Sequence, residues 1–351
     1  MIIFFFNFIF LIKIILPLDY NEYKPIIGIF ANPSPESDHK FFNKTYVPLS
    51  YIRWLESYGA EVMVIQEWYD YKEIDDILKQ INGILFTGGG RDFNLSSTWE
   101  LKVIYTIEKG NEYKIPIWGT CMGFQLINVL LSRNEKILIQ KYNDSSVAHG
   151  IIFTNNTKNS RMFHLFNESN LKNLEENSTL YFHSWGFDPE TYMKTNLTTI
   201  FYVTSTAEDN DDSKFINSIE GIKNKIYGTQ FHPEKIPYIR QNSYKLKHDN
   251  KILRVSNLLG AFFIEEARQN NNTFKGKKSD FYFIDSYSNK TNYCGFNENS
   301  ETYFFCKPQK KSFIFYIVFI ILGVIILGIL IWFCIFKRAK SKENNLVDSL
   351  I

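Results

Sequence analysis

From residue 24 to residue 118, short apolar runs alternate with longer amphipathic stretches. KPIIGIFA at 24–31 has the continuous apolar character of a buried strand. Residues 44–59, KTYVPLSYIRWLESYG, switch to a helical period. Val47, Tyr51, Leu55 and Tyr58 recur every three to four positions, Gly59 closes the stretch, and Pro48 fits only the first turn. EVMVIQ at 61–66 predicts a second strand, 71–80 a helix, and INGILF at 81–86 a third strand running into Thr87-Gly88-Gly89-Gly90. A helix over 98–110 and a fourth strand over 115–118 follow, then the turn GTCMG and an apolar helix from Phe124 to Leu131. Residues 200–231 supply two or three more strands, the last at 226–231, and 254–269 form a closing helix. Strands alternating with helices predict an α/β fold whose parallel sheet is covered on both faces. In such a sheet the active groups gather at the carboxyl ends of the strands. The glycine run at 88–90 and the turn at 119–123 both fall there.

Two apolar blocks break this pattern. Residues 2–18, IIFFFNFIFLIKIILPL, have the length and position of a secretory signal peptide, assigned to 1–20. Lys13 inside the run and the lack of a small-x-small site leave an uncleaved anchor open. Residues 313–336 carry no charge and, as a helix, reach about 36 Å, enough to cross a bilayer core of ~30 Å. Lys337, Arg338, Lys340 and Lys342 follow at once, so 337–351 is expected to be a cytoplasmic tail and the domain before the span lumenal or extracellular. Residues 273–312, rich in Asn, Lys, Ser and Tyr, read as a stalk between a catalytic domain at 24–272 and the membrane. The Asn-x-Ser/Thr pattern occurs at Asn43, Asn94, Asn143, Asn155, Asn167, Asn177, Asn196, Asn271 and Asn289, all before the span. The expected location is the secretory pathway, in a lysosome-like organelle, a vacuole or the cell surface.

A net charge of +2, from 39 basic and 37 acidic residues, gives no concentrated basic face and no reason to expect nucleic acid. Of four cysteines, Cys294 and Cys306 are candidates for a disulfide and Cys334 falls in the span. Cys121 is left without an obvious partner, which in an oxidising compartment asks for a reason.

Gly119-Thr120-Cys121-Met122-Gly123 supplies one. Flanking glycines permit a sharp strand-to-helix turn that pushes one side chain outward. The sulfur then sits at the partly positive end of a helix, and the Met122 N–H points at a developing oxyanion. The pattern alone also fits a buried cysteine in an ordinary turn. Tyr227-Gly228-Thr229-Gln230-Phe231-His232-Pro233-Glu234 adds a base, His232, at a strand end and a carboxylate, Glu234, able to hold its second nitrogen. In the run 88–90 an amide of Gly89 or Gly90 could be the second oxyanion donor, or the loop could merely be flexible. No H-x-x-x-H or C-x-x-C spacing calls for a metal, and no cofactor is expected.

INGILFTGGG, PIWGTCMGFQ and IYGTQFHPEK together resemble the class I glutamine amidotransferase-like fold, a three-layer sandwich around a mostly parallel sheet. Within it, KPIIGI, SYIRWLESYGAEV, SRMFHLF, FHSWGF and GAFFIEEARQNN are similar to γ-glutamyl hydrolases, and the resemblance runs over about 24–272. It implies hydrolysis of γ-glutamyl bonds, above all in folylpoly-γ-glutamates, through a thioester. Cys121 is then the nucleophile, His232 the base and later acid, and Glu234 the orienting third member. His183, in FHSWGF, is similar to a family histidine lining the site, which implies contact with the substrate carboxylate or assistance to catalysis, with a packing histidine as the alternative. Arg161, in SRMFHLF, is a candidate for a glutamate carboxylate, though no motif places it. A poly-γ-glutamylated folate is the expected partner, with the membrane through one C-terminal helix, and a homodimer is compatible with this. NPSPESDHK at 32–40 departs from the family, as does the anchor. An amidase or peptidase for another γ-linked substrate, an inactive tethered binding protein, and an amidotransferase feeding a synthetase stay open as alternatives.

Overall fold

The computed structural model describes residues 24–34, 43–238, 249–276, 283, 293–297, 301–307, 321–333, 335 and 337. The elements are β1 (Ile26–Phe30), β2 (Asn32–Pro33), β3 (Thr45–Pro48), α1 (Leu49–Glu56), β4 (Glu61–Ile65), α2 (Tyr71–Leu78), β5 (Gly83–Phe86), α3 (Thr98–Glu112), β6 (Ile117–Thr120) and α4 (Met122–Ser132). Then come β7 (Leu138–His149), β8 (Ile152–Phe153), α5 (Glu168–Glu175), β9 (Thr179–Phe187), α6 (Pro189–Met193), β10 (Phe201–Glu208), β11 (Lys214–Gly221), β12 (Ile226–Thr229), α7 (Asn250–Arg268), β13 (Tyr293–Asn297) and β14 (Thr302–Phe305).

An eight-stranded sheet in the order β4-β1-β5-β6-β12-β11-β10-β8 forms the middle layer. Its first five strands are parallel; β11, β10 and β8 extend it antiparallel. Strand side chains alternate between the two faces, and the core divides accordingly. Ile27, Ile29, Val62, Val64 and Leu85 pack with α1 and α7 on one face. Ile26, Phe30, Met63, Ile65, Ile84 and Phe86 pack with α2, α3 and α4 on the other. Both faces are apolar because both are covered, and that is why the strands read as unbroken apolar runs. The architecture is the expected one, a mostly parallel sheet between helical layers.

Local chemistry fixes the helix starts. Asp70 and Glu73 close a reciprocal capping box on α2, and the Ser97 side chain accepts from the Glu100 amide at the start of α3. Pro48 is the last residue before α1, so the helix begins one position past it, and Thr45–Pro48 pairs as a strand instead of continuing the helical stretch.

β7 and β9 pair antiparallel in a separate two-stranded sheet. Within 273–312, expected as a stalk, β13 and β14 form a hairpin that joins β3 and β2 in an antiparallel sheet. Phe304, Phe305 and the isolated Phe283, which bridges to Met63, are buried, so aromatic residues spaced through a polar segment fold back onto the domain. Cys306, just after that hairpin, is disulfide-bonded. Residues 308–351 are a separate unit. In it 321–333 are helical, with exposed apolar side chains such as Ile325, Leu327 and Trp332. Among the described residues no helix is long and apolar enough to cross a membrane; 313–320, Cys334 and Phe336 of the expected span lie outside them, as do 1–20 and all of the expected tail but Lys337.

Candidate active site

The turn after β6 carries the strain its sequence anticipates. Cys121 has φ 52° and ψ −109°, a backbone region that non-glycine residues rarely occupy. It is held there by the sheet and by the helix. Its N–H donates to the Thr229 carbonyl on β12 at 2.8 Å, and its carbonyl accepts from Gln125 N at 2.9 Å in α4. Gly123 is obligatory, since a Cβ there would stand 2.1 Å from the Phe86 carbonyl oxygen at the end of β5. The tight packing of the α4 start on that strand end orients the cysteine. Cys121 is a free thiol, buried at the base of a cleft, and it makes no side-chain cap to its own helix. Met122 opens α4, so its amide belongs to the first turn and has no intrahelical carbonyl to serve.

His232 follows β12, its N–H donating to the Leu180 carbonyl at 2.9 Å. Its Nδ1 lies 2.8 Å from Glu234 Oε1, and both side chains are buried. Its Nε2 has no nitrogen or oxygen partner and is turned toward Cys121. Burial alone would lower the imidazole; the Glu234 carboxylate and the Cys121 sulfur outweigh it and raise the group from 6.5 to about 9. The ring packs edge-on to Phe182, and Ser256 of α7 donates to the Pro233 carbonyl at 2.7 Å, fixing the His-Pro-Glu turn.

The glycine run closes the third side. A Cβ on Gly88 would lie 2.8 Å from His232 Cε1, 2.8 Å from the Tyr51 hydroxyl and 3.4 Å from Cys121 Cβ. Cys121, His232 and the loop therefore meet across one residue that has no side chain. Tyr51 Oη accepts the Gly88 N–H at 2.7 Å beside Glu234; burial, then the Glu234 and Cys121 charges, hold its hydroxyl well above the ordinary tyrosine range. Asn32 donates to Thr87 Oγ1 and to the Gly88 carbonyl, at 2.9 and 3.1 Å, bracing the loop from the next strand. Gly89 and Gly90 both line the cleft with Met122.

This cleft, of about 590 Å³, has Cys121 at its base and the β7–β9 ribbon as its roof. Gln125 Nε2 joins the two, donating to the Trp185 carbonyl at 2.7 Å and to Gln230 Oε1 at 3.1 Å. Arg91 lines the mouth, stacked 4.6 Å above Trp99 and paired with the buried Glu100 at 3.2 Å. His183 is in the cleft wall: its Nδ1 lies 3.0 Å from the Trp185 carbonyl, while its Nε2, 3.5 Å from Asp144 Oδ2, has no hydrogen-bond partner. Arg161 is not at this site. Its Nε contacts Glu220 at 3.0 Å, its Nη2 reaches the carbonyls of Gly221 and Asn224, and it lies over the Tyr227 ring. Its candidacy for a substrate carboxylate fails because the guanidinium is consumed in tying the loop after β8 to the β11–β12 connection. Tyr51, Asn32, Gln125 and Arg91 were not singled out by sequence reasoning. Tyr51 carried the signal of core periodicity alone, and Arg91, directly after the glycine run, was the one with a visible clue. Among the described residues no cluster of His, Cys, Asp and Glu could hold a metal ion.

The family model for class-I glutamine amidotransferases matches residues 46–247. The γ-glutamyl hydrolase of Homo sapiens is 32% identical over 264 residues, covering 73% of this chain and 82% of the human protein. That of Rattus norvegicus is 31% identical over 261 residues, covering 72% and 81%. γ-Glutamyl hydrolase 1 of Arabidopsis thaliana is 26% identical over 306 residues, covering 83% and 85%.

Proposed function

The chain belongs to the class-I glutamine amidotransferase family and, within it, is an enzyme of the γ-glutamyl hydrolase type; from that premise we propose that it cleaves the γ-amide bonds of folylpoly-γ-glutamates through a thioester on Cys121. As thiolate, Cys121 attacks the γ-carbonyl carbon, and the electron pair of the C=O bond moves onto oxygen. The amides of Met122 and Gly89 or Gly90 receive this oxyanion. Collapse breaks the C–N bond while His232, protonated on Nε2, gives its proton to the leaving amine. Neutral His232 then takes a proton from water as the oxygen adds to the thioester. The second collapse releases the γ-carboxyl product and the thiolate, and the imidazolium is restored. Glu234 holds Nδ1–H throughout and so fixes which nitrogen moves protons.

The observation that carries this reading is the pairing of a strained, free cysteine at the start of α4 with an imidazole whose outer nitrogen has no other partner and whose inner nitrogen rests on a buried carboxylate. The test is glutamate release from pteroyl-γ-triglutamate by the full-length chain, beside short γ-glutamyl peptides. Turnover of the folate lost in Cys121→Ala is expected. Undiminished turnover in that variant would refute the mechanism, and turnover of the peptides alone would refute the substrate.

We further propose that the catalytic domain faces a lumen or the cell exterior on a C-terminal membrane anchor. All eight described asparagines of the Asn-x-Ser/Thr pattern are exposed, whereas Asn32, Asn82, Asn128 and Asn217, outside the pattern, are buried. That distribution fits acceptors that carry glycans. A mass shift on treatment with peptide N-glycosidase, and retention in the membrane fraction after alkaline carbonate, are expected; a soluble, unshifted chain would overturn this.

A further inference from the structure

A γ-linked glutamate chain uses its γ-carboxyls for the amide bonds. Every glutamate therefore keeps a free α-carboxylate on the chain itself, within a few bonds of the scissile carbon on either side. Of the residues that line the cleft, Arg91 is the one arginine or lysine. It follows Gly88 by three positions, so its Cα lies within ~11 Å of the glycine that Cys121 and His232 flank. Asp92 and Glu135 line the same cleft and repel carboxylates. Arg91 is thus the place on this lining where an anionic chain can rest.

Arg91 is oriented without being saturated. Its guanidinium stacks 4.6 Å above the Trp99 ring, and Trp99 is itself pinned, donating from Nε1 to the Ala31 carbonyl at 3.1 Å. Nη2 stands 3.2 Å from Glu100 Oε1 as an ion pair. The buried Glu100 carboxylate has donors besides that cation: Oε1 accepts from the Asn94 amide at 3.2 Å, and Oε2 from the Ser97 hydroxyl. Among the described residues the guanidinium donates one hydrogen bond, from Nε to the Asp92 carbonyl at 3.4 Å. Its terminal nitrogens keep their N–H groups for an acceptor, and 25% of the side chain is exposed. Arg161 is the contrast, with Nε on Glu220 and Nη2 on the carbonyls of Gly221 and Asn224.

We propose that Arg91 is a specificity-determining residue: its terminal guanidinium nitrogens hold the α-carboxylate of one glutamate of the γ-linked chain, and so select that chain over neutral amides. This rests on the hydrolase reading of the cleft. Trp99 and Glu100 set the orientation of the fork before substrate arrives, so little freedom is lost when the carboxylate docks.

The test crosses substitutions with substrates amidated at one α-carboxylate at a time. The full-length chain and its Arg91→Gln and Arg91→Lys forms are given pteroyl-γ-triglutamate and its analogues with an α-carboxamide at the first, second or third glutamate. In the unaltered chain kcat/KM falls about tenfold or more for one analogue, the scale of one charge-assisted hydrogen bond. Arg91→Gln loses the same factor on the parent substrate, through KM, and nothing further on that analogue, because both changes remove the same pair. Arg91→Lys regains part, as a point charge without the fork. A purely structural role at Trp99 and Glu100 would lower kcat/KM on every substrate by one common factor, and that outcome overturns the proposal. So does an unaltered chain indifferent to all the amidations, an arm that stands even if Arg91→Gln does not fold. Calorimetry of the same compounds with Cys121→Ala and with Cys121→Ala/Arg91→Gln follows binding by itself. An unaltered chain that hydrolyses none of them defeats the functional reading, and the calorimetry, which needs no turnover, still decides the Arg91 assignment. A Kd for the triglutamate about tenfold weaker without the cation supports it; an equal Kd, or no binding to Cys121→Ala, overturns it.

Discussion

Replacing Glu234 by Gln keeps the shape beside His232 Nδ1 and removes the charge. The imidazole stands at about 9 against an ordinary 6.5, while its burial pushes the other way. The difference corresponds to roughly 3 kcal/mol of net preference for imidazolium. Without the carboxylate, burial is opposed by the Cys121 sulfur alone, and the group falls toward its ordinary 6.5. At pH 7.5 a group near 9 is ~97% protonated and one at 6.5 is ~10% protonated. The proton donor for the leaving amine is therefore depleted about tenfold or more in Glu234→Gln, and kcat/KM falls by at least that factor. Stability follows the same linkage. A histidine raised on folding stabilises the native state fully below its unfolded value of about 6.5, and that contribution disappears as pH rises through about 9. The unaltered chain is expected to lose on the order of 3 kcal/mol between pH 6 and pH 9.5 from this group, and Glu234→Gln to lack that decline. Urea unfolding of the full-length chain at the two pH values measures it, alongside initial rates. A stability difference between the two proteins that is the same at pH 6 and pH 9.5 would refute the electrostatic reasoning. So would a variant that retains full activity at pH 7.5.

Arg161→Ala removes the contacts to Glu220, Gly221 and Asn224 and leaves the buried Glu220 without its cation; a loss of about 2 kcal/mol is expected in denaturant unfolding, allowing for partial exposure of the guanidinium. The KM of the surviving enzyme should be unchanged, since the residue lies outside the cleft. Gly123→Ala forces a Cβ into the Phe86 carbonyl, a backbone atom that cannot step aside, so no soluble active protein is expected on expression. Gly90→Ala meets nothing within 4 Å and keeps its N–H, so it should retain activity in the same assay.

The parallel sheet and the strained turn at Cys121 were legible because their causes are local. A strand covered on both faces must be apolar at every position, and a strained cysteine between a strand and a helix must have glycines around it. His232 and Glu234 were legible for the same reason, being two residues apart on one turn. What stayed hidden depends on partners distant in sequence. The β7 and β9 strands lie about forty residues apart and carry polar faces, so neither has an apolar period. The hairpin of β13 and β14 is tied to β3 across some 250 residues, and three buried aromatics in a polar context do not announce that. Arg161 shows the converse limit. A cation in a recognisable segment suggested a substrate contact, yet Glu220, fifty-nine positions away, decides its role.

The separation of the two sheets around the cleft has a consequence for how the site divides its work. Cys121, Met122, His232 and the glycine run all hang from carboxyl ends of β5, β6 and β12, adjacent parallel strands of the large sheet. Their relative geometry is set by a core packed on both faces, where a displacement of one strand disturbs two layers. The roof shares no strand with that sheet. It meets the base through the Leu180 carbonyl accepting from His232 N, and through Gln125 at the Trp185 carbonyl. Substitutions on the roof can therefore change what the cleft accepts while Cys121 and His232 keep their register.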